Sequence, residues 1–224
     1  MDVVAFTDIG TTRKENQDSY WCALLEVEGV PTVVAAVADG MGGLDDGAYA
    51  SRYLLQTIEK VAYENPKIEA FKTAVLKANH ELYNSSETRR GTTLTLALLA
   101  GGSVSILHIG DSRAYHYADN HPDGLVLTED HTVLTKWRTN GVQITEDMAK
   151  SVAGQLYRCI GVREDIEVDV IYRSYQPGDK FLLCTDGFWH HLKENPTVQT
   201  IPSMIEQMKT NGETDNITAV LIEV

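Results

Sequence analysis

The run PTVVAAVA at residues 31–38 is apolar enough that, as a strand, it is buried on both faces. A chain holding such a strand needs a packed layer above it and another below. Strand-like segments at 2–9 and 19–28 precede it. Two helices follow. Ala50, Tyr53, Leu54, Ile58, Val61 and Ala62 fall at helical spacing, as do Ile68, Phe71, Val75, Ala78 and Leu82, and Asn65-Pro66 separates the two sets. A second block of strands begins where Leu94, Leu96 and Leu98 alternate with Thr93, Thr95 and Ala97, and Gly101-Gly102 turns the chain into SVSILHI. Short strands are expected at 112–117, 124–127, 166–173, 180–184 and 216–223. Residues 131–160 read as interrupted helix, broken at Gly141 and Gly154, and 201–210 as a further helix. Blocks of strands with paired helices between them indicate an α+β fold, two sheets face to face with helices outside. With no internal repeat, low-complexity tract or linker, residues 1–224 read as one domain.

Acids punctuate these runs. Asp39 closes VVAAVAD, Asp111 follows ILHIG, Asp186 follows FLLCT, Asp215 precedes NITAVLI, and Asp18 ends RKENQD. Taken singly, Asp-Gly, GDSR and Asp-Asn are ordinary turn sequences. Their shared placement at the ends of apolar strands is not what independent turns give. A buried carboxylate needs a cation, hydrogen bonds or exposure, and several converging from distant segments make a site for hard divalent metals. TIM and doubly wound folds also place acids at strand ends, but the regular helix alternation they require is missing. The glycines after Asp39 allow positive φ and close backbone approach, so that a carbonyl can turn toward a cation. Arg13, five residues before Asp18, carries a guanidinium able to grip two phosphate oxygens; it also reads as a surface arginine beside Lys14.

The net charge of −13 argues against nucleic acid and anionic membrane surfaces as partners. Cys22, Cys159 and Cys184 are odd in number and lack CxxC spacing, which fits free thiols in a reducing compartment. The first residues carry no basic segment followed by an apolar stretch, and no uncharged run approaches the ~20 residues that span a bilayer. A cytoplasmic location is expected.

The segments DIGTTRKENQDSY, VAAVADGMGG, RGTTLTLALL, ILHIGDSRAY, VLTEDHT, FLLCTDGFW and TDNITAVLIEV stand in a familiar order and approximate spacing. From Asp8 to Val224 the chain resembles the metal-dependent protein phosphatase family, in its bacterial type 2C serine/threonine form. The resemblance implies a four-layer α-β-β-α sandwich, two mostly antiparallel sheets flanked by helix pairs, with a short flap at about 131–160. It implies two Mn2+ or Mg2+ ions, with a third in bacterial relatives. Asp39 bridges the pair and the Gly40 carbonyl binds one ion; Asp186 and Asp215 hold the other, and Asp18 acts in the inner or water-mediated shell. Asp111 and Asp186 match the ligands of the third ion. Arg13 matches the phosphate clamp, and Asn216 orients the adjacent carboxylate or its turn. The reaction implied is direct attack of a hydroxide shared by the ions on phosphoserine or phosphothreonine, without a phosphoenzyme. Phosphorylated proteins are the implied partners, opposed by a serine/threonine kinase, and the chain is expected to be a monomer.

The sequence departs from the family pattern in places. Leu44 and Ala48 stand where many members have His and Glu, so no protein acid is expected at that corner; Asp45 and Asp46 add negative charge instead. His190 and His191 are an alternative proton donor, or two surface loop histidines. His131, in EDHT, reads as a structural hydrogen-bond partner, and Cys184 as a small strand-core residue. Two other classes remain open. A pseudophosphatase would keep the fold without turnover, and a nuclease would carry a basic groove that this charge disfavours.

Overall fold

A computed structural model describes residues 1–41, 46–85 and 90–224. The strands are β1 (Asp2–Asp8), β2 (Asp18–Val27), β3 (Val30–Asp39), β4 (Leu94–Ala100), β5 (Ser103–Ile109), β6 (Arg113–Ala118), β7 (His121–Val126), β8 (Asp169–Ser174), β9 (Lys180–Cys184) and β10 (Ile217–Glu223). The helices are α1 (Gly47–Glu64), α2 (Ile68–Asn84), α3 (Val133–Thr139), α4 (Glu146–Ser151), α5 (Asp186–Trp189) and α6 (Ile201–Thr210). One sheet has the order β2-β3-β4-β5-β8 and the other β1-β10-β9-β6-β7, with antiparallel pairing at every neighbouring edge described.

Strand β3 shows why the layers stack. Val33 to Ala38 are all at 0% exposure. Its even members Val34, Ala36 and Ala38 pack against Leu54, Ile58, Phe71 and Val75 of α1 and α2. Its odd members Val33, Ala35 and Val37 pack against Phe181, Leu183, Val220 and Ile222 of the other sheet. A period of two therefore sends alternate side chains into two different cores. The outer face of the second sheet, with Leu182, Cys184 and Leu221, is covered by Ile201, Met204, Ile205 and Met208 of α6 and Phe188 of α5. The result is an α-β-β-α sandwich whose second outer layer is thinner, one helix and a single turn.

Some boundaries differ from expectation. The strand expected from 166 begins at Asp169. Ahead of it, the carbonyls of Arg163 and Glu164 accept from Asn79 Nδ2 (3.0 and 2.8 Å), which ties that stretch to α2. Within 131–160, α3 and α4 stop ahead of Gly141 (φ +71°) and Gly154 (φ +68°), the two breaks expected. Its ends are clasped together: the Val133 N–H donates to Gln155 O (2.8 Å) and the Tyr157 N–H to His131 O (2.9 Å). Cys22, Cys159 and Cys184 are free thiols, and Cys184 is fully buried in β9. Among the described residues no helix is long and apolar enough to cross a membrane.

Candidate active site

Antiparallel pairing gathers the acids at one end of the sandwich. Asp39 ends β3 and Asp18 begins β2, and the register sets them opposite each other. Asp111 lies in the turn from β5 to β6, Asp186 just past β9, and Asp215 just before β10. Cys184 pairs with both Arg113 and Ala219, so the flanking turns of β6, β9 and β10 lie at the same edge. Arg13, Asp39, Gly40, Asp111, Asp186 and Asp215 line one cleft of about 640 Å3, joined by Gly154 to Leu156 from the 131–160 segment. Asp18 stands behind this wall. It is 8% exposed, its Oδ2 accepting from Thr185 Oγ1 at 2.8 Å, and it borders a separate depression beside Ser19 and Arg52.

Local backbone chemistry fixes the Asp39 turn. The Asp39 N–H donates to Thr93 Oγ1 (2.9 Å), and its carbonyl accepts from the Thr93 N–H (2.9 Å) and from Thr92 Oγ1 (2.9 Å). Of the two properties expected of the glycines after Asp39, Gly40 uses close backbone approach and not positive φ. A Cβ on Gly40 would sit 2.4 Å from the Gly47 carbonyl oxygen and 2.7 Å from that of Gln17. Gly187 is constrained likewise, 2.1 Å from the Asn216 carbonyl oxygen. Leu44, Asp45 and the glycines at 42 and 43 lie outside the described residues. Asp46 caps α1, accepting from the Tyr49 N–H, and pairs with Arg90 at 3.3 Å.

Burial and mutual repulsion dominate the electrostatics. Burial lifts the Asp111 carboxyl to about 8, with the charge of Asp186 adding to it. Burial and the charges of Asp186 and Asp215 lift Asp18 to about 7, against the hydrogen bond from Thr185. Asp39 is pushed well up by burial and then by its acidic neighbours, and Asp186 is raised by burial and by Asp215. Asp186 Oδ1 is buried without a hydrogen-bond partner. An orphaned carboxylate oxygen among like charges costs free energy that a hard cation would recover, and the four carboxylates of this wall offer only oxygen. Among the described residues no three Asp, Glu, His or Cys side chains already close into a ligand cage. One carboxylate is held aside: Arg13 Nη2 donates to Asp215 Oδ2 at 2.5 Å, with both side chains partly exposed.

Supports not legible from spacing surround the cleft. Asn216, 3% exposed, accepts from the Gln17 N–H (2.9 Å) and donates through Nδ2 to the carbonyls of Ile9 (2.8 Å) and Glu15 (3.2 Å). Its side chain thus pins the loop that carries Arg13, while its backbone N–H donates to Asp215 Oδ1 at 2.8 Å. Trp189 Nε1 donates to the Asp111 carbonyl (2.9 Å), and the Arg113 guanidinium lies 3.4 Å over the Trp189 ring. His131 serves as a hydrogen-bond partner. The Gly110 N–H donates to its Nδ1 (3.0 Å), which leaves Nε2 to donate to Asp169 Oδ2 (3.1 Å). His190 and His191 are absent from the cleft wall and instead face Glu213.

A second cleft, of about 570 Å3, is lined by residues 157–159 where the first takes 154–156. Its cations Lys136, Arg158 and Arg163 are balanced by Glu129, Asp165 and Glu167, and Arg158 is already engaged by Asp169 at 2.6 Å. The acidic cleft is the one with unbalanced charge and an unpaired buried oxygen.

Comparison with known proteins bears on the family and the fold. Residues 11–222 match the family model described as protein phosphatase 2C. The serine/threonine phosphatase stp of Listeria monocytogenes serotype 4b is 31% identical, over 97% of this chain and 93% of that protein. The PPM Ser-Thr phosphatase MsPP of Mycobacterium smegmatis, solved with cacodylate, superposes with a TM-score of 0.81 at 29% identity, over 100% of this chain and 98% of that one. The catalytic domain of the serine/threonine protein phosphatase PstP, solved with two manganese ions, does so with a TM-score of 0.81 at 27% identity, over 98% and 96%.

Proposed function

Because the chain belongs to the protein phosphatase 2C family and is a serine/threonine protein phosphatase, we propose that its acidic cleft hydrolyses phosphoserine and phosphothreonine in proteins with two Mn2+ or Mg2+ ions. In this reading Asp39 and the Gly40 carbonyl would help to hold the ions. Asp186 and Asp215 would be further ligands of the pair, Asp18 would act from behind in the inner or water-mediated shell, and Asp111 with Asp186 would hold a third ion. When bound, such a pair lowers the pKa of a coordinated water from 15.7 toward ~7 and neutralises phosphoryl charge. The observation that carries the proposal is the convergence of Asp39, Asp111, Asp186 and Asp215 on one cleft with Arg13, where Asp186 Oδ1 is buried and unpartnered.

The chain's own residues bind and orient. Among the described residues neither cysteine nor serine lines this cleft, and the Thr93 hydroxyl there is occupied by the Asp39 N–H and by Ser112 Oγ (2.8 Å). That supports direct attack of water on phosphorus without a phosphoenzyme. Arg13 is the phosphate clamp. Its pair with Asp215 is solvent-accessible, and pairs of that kind contribute only about 0–1 kcal/mol, so the guanidinium is free to turn to a phosphoryl group. Residues 1–224 form one catalytic domain with a flap at 131–160, whose Gly154 to Leu156 border the substrate. The chain works as a cytoplasmic monomer in signal transduction, opposing a serine/threonine kinase on phosphorylated protein substrates.

The test is phosphate release from a phosphothreonine peptide and from p-nitrophenyl phosphate, with Mn2+ and with EDTA. Release that requires Mn2+ supports the proposal. Turnover of neither substrate would indicate a pseudophosphatase, and turnover of nucleic acid alone would overturn the assignment.

A further inference from the structure

Glu213 sits two residues before Asp215 and is only 7% exposed. Its backbone is held at both ends. Its N–H donates to Met208 O in α6 (3.0 Å), and its carbonyl accepts from Thr11 Oγ1 (2.8 Å), in the loop that carries Arg13. The side chain folds back over the Asp215 turn. Oε1 accepts the N–H of Thr214 (2.7 Å) and the N–H of Asp215 (2.9 Å). Oε2 faces His191 Nε2 at 3.2 Å, with His190 Nδ1 at 3.9 Å.

A buried carboxylate is costly, and a tight turn of this length needs none. What this one does is specific. By capturing two consecutive N–H groups with one oxygen it fixes the peptide planes leading into Asp215. On the far side, the Asn216 N–H holds Asp215 Oδ1 and the Asn216 side chain anchors the turn to Ile9 and Glu15. Asp215 is therefore gripped from both directions, and Oδ2 is the oxygen left to choose between Arg13 and another cation. The His190-His191 pair supplies the anchor for the second oxygen of Glu213.

We propose that Glu213 is a positioning residue for dication binding: it aims the Asp215 carboxylate into the cleft by holding the two amides before it, and His191 keeps its own carboxylate in place. The proposal rests on the reading of the cleft as a dication site. Outer residues that orient ligands typically contribute 10- to 100-fold to metal affinity.

The test uses the full chain and Mn2+ alone, with affinity read by calorimetry, melting temperature read in EDTA, and kcat and KM read on p-nitrophenyl phosphate. Glu213→Gln keeps an acceptor oxygen at the same reach, so its Mn2+ affinity is expected within about 3-fold of wild type. Glu213→Asp keeps the charge but withdraws the oxygen by one methylene, and Glu213→Ala removes it. Both are expected to weaken Mn2+ about 10-fold or more, with kcat at saturating Mn2+ largely restored. Should Glu213→Ala not fold, the contrast between Gln and Asp carries the test. Mn2+ affinity unchanged in Glu213→Asp, or lost equally in Glu213→Gln, would overturn the proposal while leaving the phosphatase reading intact. A wild-type chain that bound no Mn2+ would overturn both.

Discussion

Removing divalent metal and raising the pH should destabilise this protein, in a window set by two of its buried acids. Asp18 titrates at about 7 and Asp111 at about 8 in the folded chain, against 3.8 for an unperturbed aspartate. Their folded-state values are raised, so the stability they contribute is fully present below pH ~4 and lost as pH climbs through ~7 and ~8. Two histidines have the opposite sign. Burial lowers His108 to about 4 and also lowers His131, so both favour folding more as pH rises, but only up to their unfolded value of 6.5. Between pH 6.5 and 8.5 the carboxylates act alone. Integrating proton release over that window gives about 2 kcal/mol for Asp111 and about 1 kcal/mol for Asp18, roughly 3 kcal/mol together, to which the raised Asp39 and Asp186 add with the same sign. For a chain of this length that is about 6–12 °C in melting temperature. The assay is urea or thermal unfolding in EDTA at pH 6.5 and 8.5, repeated with saturating Mn2+. The metal-free protein should lose stability across the window and the metal-loaded protein should not, because a cation favours the ionised carboxylates. Metal-free stability that is flat or rising from pH 6.5 to 8.5 would refute the reasoning.

Asp39→Asn and Asp186→Asn should each abolish Mn2+-dependent phosphate release, yet leave the melting temperature in EDTA unchanged or higher, since each removes a repelling buried charge. Arg13→Ala should raise KM for p-nitrophenyl phosphate with kcat within a few-fold, because it weakens phosphate capture; an unchanged KM would count against the clamp. Asn79→Ala orphans the buried Gly161 N–H (2.7 Å), at about 1–3 kcal/mol, releases the more exposed carbonyls of Arg163 and Glu164 to solvent, and should lower the urea midpoint accordingly.

Much of this was readable from residues alone, for physical reasons. The period of two in β3 and the helical spacing in α1 and α2 are local signals of burial, and the core they imply is the core observed. Asp39, Asp111, Asp186 and Asp215 were legible because each borders an apolar run at its end, where a turn alone does not need a charge. What escaped was encoded across distance. Asn216 holds Ile9 and Glu15, some 200 residues earlier, and nothing in Asp-Asn states that reach. Glu213 lies in a polar turn, NGET, that reads as exposed until α6 and the His191 loop close over it. Asp18 ends a polar run, and only the resemblance sets it in the inner or water-mediated shell; Thr185 holds it behind the cleft wall. Of the two reasons for glycine after Asp39, close approach is the one that holds at Gly40, where contact with Gly47 and Gln17, not a left-handed φ, excludes a side chain.

Catalysis as proposed requires a dication pair held between Asp39, Asp186 and Asp215. Crystals soaked in MnCl2, with diffraction recorded at the manganese absorption edge, test this directly. The expected result is anomalous density at two positions inside the cleft, within bonding distance of those carboxylates and of the Gly40 carbonyl, with Arg13 released from Asp215. A cleft without such density in crystals shown to contain manganese, or manganese bound only elsewhere on the surface, would contradict it.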